Sequence, residues 1–137
     1  MRRTTLILGL TLAVGIAVGA IGHHLLDAQP QPVKRTPLLK TDVAMEGKEA
    51  NILRVEMAPG VTSGKHYHPT DTFVYVLGGS ITFEGEGMSP HTAKAGEVFH
   101  EAPKMVHDAK NPSATEPVKI LVFQITEKGQ PVTVPAQ

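Results

Sequence analysis

His66 and His68 stand one residue apart between Gly60 and Gly79, and Gly96, His107 and Asn111 follow at set intervals. The first run reads Gly60-x5-His66-Tyr67-His68-x3-Thr72-x6-Gly79, the second Gly96-x10-His107-x3-Asn111. Side chains at i and i+2 of an extended strand point to the same face, so the doublet asks for a strand that presents two imidazoles together. Neutral imidazole is among the commonest ligands for zinc, copper, nickel and iron. His107, on a later strand of a small barrel, closes the set. The spacing therefore predicts a β structure that aims His66, His68 and His107 at one divalent metal ion.

The rest of the domain agrees with strands. Leu53, Val55 and Met57 alternate with Arg54 and Glu56, and Pro59-Gly60 ends that run. Phe73 to Leu77 is a more continuous apolar strand closed by Gly78-Gly79. Ile81-Thr82-Phe83 leads into Glu84-Gly85-Glu86-Gly87, a turn-forming stretch. Val98-Phe99 precedes Ala102-Pro103, and Val118 to Ile125 forms a final strand before Lys128-Gly129. No stretch of this region carries a long helical apolar period. Eleven prolines and 13 glycines suit such a turn-rich, all-β sandwich or closed barrel.

Composition removes several function classes. The chain has no cysteine, which excludes disulfides, thiolate zinc ligands and a cysteine nucleophile. Lys plus Arg and Asp plus Glu are 13 each, so no basic field exists to bind nucleic acid. Met1-Arg2-Arg3 opens an uncharged, largely apolar run from Leu6 to Gly22. Residues 1–28 are expected to form a hydrophobic helix that serves as a secretory signal peptide or as an N-terminal transmembrane anchor. Either way the arginines favour a cytoplasmic N-terminus. The rest of the chain is then exported, periplasmic or extracellular, and touches the membrane only through that segment. Residues 29–37 hold three prolines among polar residues and read as an extended linker, which leaves 38–137 as the folded domain.

These residues resemble the cupin family, small jelly-roll barrels (double-stranded β-helices) that commonly hold a metal. Its first motif, G-x5-H-x-H-x3-4-E-x6-G, is matched at Gly60, His66, His68 and Gly79, with Thr72 in place of the glutamate. Its second, G-x5-P-x-G-x2-H-x3-N, is matched at Gly96, His107 and Asn111, with the proline one place late at Pro103 and the later glycine missing. The resemblance implies a metal site of three histidines with open positions, since a neutral hydroxyl at Thr72 is a poor substitute for a carboxylate. Loss of that anion weakens hard-cation binding and leaves more positive charge on the ion. It further implies pairing through outer strands, hence a homodimer, and for Asn111 a structural role in the loop after the second motif.

Four pocket candidates surround the histidines. Thr72 shares the parity of His66 and His68 and points inward with them, to shape the pocket or hold a water beside the ion. Asp71 enters only if a bulge turns it inward. His100 offers a fourth nitrogen if it faces the cavity, against a rim position. Tyr75 is a proton donor at the cavity wall, or simply core. Glu101, beside Pro103, is read as a rim acid at a solvated loop end, and His91 as a loop residue. Met57, Met88 and Met105 serve as core filling.

Two functions remain. The first is an exported cupin whose iron, manganese, nickel, copper or zinc acts on a small oxygen-rich or enolisable substrate, by analogy with quercetin- or diketone-type dioxygenases. The second is a noncatalytic module that holds a small molecule or a metal at the cell surface.

Overall fold

Alternation governs the long strands. In Val118–Glu127 the side chains of Val118, Ile120, Val122, Gln124 and Thr126 are buried, while Lys119, Phe123 and Glu127 are exposed. A strand with one face on a core and one in water must alternate in this way.

The computed structural model describes residues 32–137. Ten strands follow one another: β1 Val33–Asp42, β2 Lys48–Met57, β3 His66–Tyr67, β4 Thr72–Gly78, β5 Ser80–Gly85, β6 His91–Lys94, β7 Val98–Glu101, β8 His107–Lys110, β9 Val118–Glu127 and β10 Val134–Pro135. They form two five-stranded sheets, ordered β1-β2-β9-β4-β7 and β10-β3-β8-β5-β6, and every pairing is antiparallel. This is the all-β jelly roll that the sequence predicts. The helix expected in residues 1–28 lies outside the described residues. Among those described, no helix is long and apolar enough to cross a membrane.

The core joins both sheets through Met57, Val74, Val76, Ile81, Ala93, Ala109, Val118, Ile120 and Val122. Each larger aliphatic buried here contributes roughly 1.5–3 kcal/mol. The interior is not uniform along its length. On β4 the inward residues run Val76, Val74, Thr72, and their β9 partners run Ile120, Val122, Gln124. One end of the barrel is therefore aliphatic and the other polar, a gradient encoded directly in two strands.

One sequence expectation changes, and one apolar run is clarified. The linker read over 29–37 does not hold for 33–37, which are the first half of β1 and pair residue by residue with Leu53 to Met57. Pro37 is tolerated because β1 is an edge strand, where a missing N–H leaves no ladder bond unmade. The run Phe73 to Leu77 is not apolar because it is buried on both faces. Phe73, Tyr75 and Leu77 are exposed, on the face of the sheet that no second layer of the described residues covers.

Gly79 shows why the first motif ends in glycine. Its φ is 76°, and a Cβ there would lie 2.9 Å from the Pro117 carbonyl oxygen. Asn111 ties the loop after β8 to the end of β2. Its amide nitrogen donates to the carbonyls of Met57 (3.2 Å), Ala58 (3.1 Å) and Glu116 (2.8 Å), and its side-chain oxygen accepts from Ser113 N–H (3.0 Å).

Candidate metal centre

The polar end of the barrel gathers His66 and His68 from the β3 segment and His107 from the start of β8. His66 sits directly opposite His107 in the β3–β8 register. All three are buried, and each offers a ring nitrogen within 4.8 Å of the other two.

Hydrogen bonding fixes which nitrogens those are. Nδ1 of His66 meets the Gly64 carbonyl at 2.7 Å, Nδ1 of His68 meets the Val132 carbonyl at 2.5 Å, and Nδ1 of His107 meets the Met105 carbonyl at 3.0 Å. A carbonyl oxygen only accepts, so each Nδ1 carries the proton and each neutral ring has its lone pair on Nε2. Gln124 Nε2 also approaches His68 Nδ1 at 2.9 Å, but its two protons are used on Thr72 Oγ1 (2.7 Å) and Val132 O (3.0 Å). The Nδ1–H assignment therefore stands. Backbone carbonyls that set the tautomer and aim the ring are the usual outer support of metal-ligating histidines. Burial holds His66 below the ordinary imidazole range, with the Gly64 carbonyl opposing that shift and His107 and His68 adding to it. A ring kept neutral is one ready to ligate.

A fourth group faces the same point. Glu101, the last residue of β7, is 3% exposed and places Oε2 2.9 Å from His68 Nε2 and 3.7 Å from His107 Nε2. Among the described residues, neither Glu101 Oε2 nor His107 Nε2 has a hydrogen-bond partner. With neutral rings and an ionised Glu101 the cluster is thus made of acceptors turned toward one another, an arrangement that a bound cation satisfies. The residues present fit a divalent metal ion. Beside them lies a cavity of about 50 Å³ whose other walls are mostly apolar, Leu53, Val55, Ile81 and Phe83 among them, with Gln124 on the polar side. Such a space holds a few waters or a small ligand.

A family model described as a cupin domain matches residues 53–124, more than half of the 137-residue chain. The chain is a cupin. No curated protein matches its sequence. Among solved structures, an uncharacterized conserved protein with a double-stranded β-helix domain from Klebsiella pneumoniae is 19% identical. That match covers 79% of this chain and 87% of the other, with a TM-score of 0.62. A cupin domain from Bordetella pertussis is 20% identical over 69% of this chain and 93% of its own, with a TM-score of 0.56. The DMSP lyase DddQ from Ruegeria pomeroyi is 19% identical over 89% of this chain and 64% of its own, with a TM-score of 0.63. At these identities the likeness carries the barrel alone.

Within this cupin the three histidines come together, and the four pocket candidates separate. Thr72 is fully buried, but its hydroxyl is occupied, accepting from Gln124 and donating to Thr70 O at 3.3 Å. Asp71 and His100 are corrected: both lie on the solvent face and pair with each other at 2.7 Å. No bulge turns Asp71 inward, and strict alternation sends His100 outward with Val98. Tyr75 is corrected in the same way, being 42% exposed on the outer face opposite Val98. His91 opens β6 instead of lying in a loop, and is exposed.

Glu101 is the residue whose environment the sequence reading missed. It is neither at the rim nor in a loop. A signal existed: Phe99 and Glu101 share parity, so a strand that half-buries Phe99 also turns Glu101 inward. The nearby Pro103 drew attention to the loop instead.

Proposed function

We propose that this cupin binds one divalent transition-metal ion (iron, manganese, nickel, copper or zinc) through Nε2 of His66, His68 and His107 and uses it on a small, oxygen-bearing molecule. The observation that carries this reading is the triple Nδ1–carbonyl arrangement, which leaves three convergent lone pairs without a donor. When bound, such an ion supplies Lewis-acid polarisation of a substrate oxygen. The chain's own residues do the rest. The apolar walls exclude water and limit the substrate to a few heavy atoms. Gln124, fully buried with an unpartnered side-chain oxygen, is suited to accept a hydrogen bond from a ligand hydroxyl. Glu101 places a buried carboxylate beside the histidines. A dioxygenase-like reaction suits this equipment.

A second reading is a noncatalytic binding module, favoured by the small size and mostly apolar lining of the cavity. We further place the domain outside the cytoplasmic membrane, from the basic start and the apolar run Leu6–Gly22. Protease accessibility in intact cells and in spheroplasts checks that placement.

The test of the metal reading is elemental analysis of the full chain purified without added metal, beside His66→Ala and His107→Ala. Near-stoichiometric metal in the wild type that both variants lose supports it. A wild type that neither carries metal nor takes up added ions rejects it.

A further inference from the structure

We propose that Glu101 supplies, from the neighbouring strand, the carboxylate that the first motif lacks at Thr72. This rests on the metal reading above and deepens it: the ion is held by three imidazoles and one carboxylate. The β4–β7 register sets Thr72 directly opposite Glu101. Directly opposite residues on adjacent strands have Cβ atoms about 4.5–5.5 Å apart and share one face of the sheet. Moving an acid across that pair keeps it in the barrel interior and changes only the strand it hangs from. The exchange is reciprocal. Thr72 is short enough to leave room, and its hydroxyl is already bound to Gln124 and Thr70. Glu101 is the longer side chain, and its Oε2 has no hydrogen-bond donor among the described residues.

The shorter of the two separations is that of two ligands on one ion, and the longer exceeds the range for such a pair by about 0.3 Å. Atoms held about 2.1 Å from a metal lie roughly 2.9–3.4 Å apart for bond angles between 90° and tetrahedral. Glu101 Oε2 stands 2.9 Å from His68 Nε2 and 3.7 Å from His107 Nε2. A carboxylate buried this deeply without a donor is costly. Among the described residues the histidine lone pairs beside it offer no relief, because their protons are on Nδ1. A cation between them does. Bound there, a carboxylate lowers the net charge of the centre by one and moves its preference toward the harder end of the first-row metals.

The rival explanation is an ion pair between Glu101 and a His68 imidazolium, with no metal contact. Chelator-competition titration with zinc on the full chain separates the two. The variants are Glu101→Gln and the double variant Thr72→Glu/Glu101→Thr, which returns the acid to its motif position. The wild type is expected to bind one equivalent, and Glu101→Gln to bind at least roughly 10–100-fold more weakly. The double variant is expected to recover most of that loss. Thermal unfolding of the metal-free proteins is the second readout, in which Glu101→Gln should melt no lower than the wild type. A lower melting point marks the ion pair and overturns the proposal. So does equal zinc affinity of the wild type and Glu101→Gln. Absence of zinc binding by the wild type overturns the metal reading itself, which the first titration reveals before any variant is compared. If the amide variant does not fold, Glu101→Asp, shorter by one methylene, gives the same comparison.

Discussion

Strand β7 contributes to an acid–imidazole pair on each of its faces, His100 outside and Glu101 inside, and the two pairs behave differently although their chemistry is alike. Outside, His100 Nε2 meets Asp71 Oδ1 at 2.7 Å with side chains 48% and 59% exposed. Inside, His68 Nε2 meets Glu101 Oε2 at 2.9 Å with side chains 8% and 4% exposed. Water hydrates the outer pair, so its formation or loss changes little, as for most surface ion pairs. The inner pair is shielded from bulk solvent and its imidazole proton is directed at the Val132 carbonyl, so its two acceptors face each other without a donor between them. A short separation between an acid and a histidine means little until burial and the position of the proton are known.

The largest effect that would break this comparison is loss of an inner imidazole. His107→Ala should abolish metal uptake, and with it the stabilisation of about 4 kcal/mol that a ligand at a thousandfold its Kd confers. His100→Ala should leave metal content and the melting shift on metal addition unchanged, as read by elemental analysis and thermal unfolding. Equal losses from both would erase the distinction between the faces. Next in size, Glu101→Gln should stabilise the metal-free protein by about 1–2 kcal/mol in urea unfolding, because the new amide N–H can donate to the His68 lone pair. A decrease would mean that the inner pair is already satisfied.

Acidification gives a smaller effect. The folded protein holds His66 below the ordinary imidazole pKa of 6.5, so the unfolded chain takes up that proton first. Stability of the metal-free protein should therefore fall as pH drops below about 6.5, and this loss should end once the folded pKa is passed. The slope attributable to this one proton is at most about 1.4 kcal/mol per pH unit. Urea midpoints across pH 5 to 8, with and without His66→Ala, measure it. Smallest of all, Asp71→Asn should shift stability by less than about 0.5 kcal/mol. A larger shift would show that the outer pair is not simply solvated.

Much of this was legible in the sequence. The His66-x-His68 spacing, the motif glycines and the alternation of β2 point to a jelly roll with three convergent histidines. Other features were hidden for physical reasons. The apolar run Phe73–Leu77 carries large apolar residues on both faces, so hydrophobicity alone does not distinguish the covered face from the open one. The proline-rich start of β1 looks like a tether because an edge strand tolerates what a central strand does not. Glu101 was obscured because motif reasoning seeks a missing group at its own position. In a sheet, the place next to Thr72 in space is 29 residues away along the chain, and only the β4–β7 register reveals it.

The carbonyl of Val132 accepts from both His68 and Gln124, and β10 then pairs with β3 beside the histidines. Order of synthesis follows from this. His66 and His68 leave the ribosome early, yet the carbonyl that accepts the Nδ1 proton of His68 is absent until residue 132 has emerged and folded back. A nascent chain arrested before that point carries all three imidazoles but lacks the support that aims one of them. On the metal reading, selective loading of the centre therefore awaits the folding back of β10, and a truncation that removes residues 132–137 would take this support away.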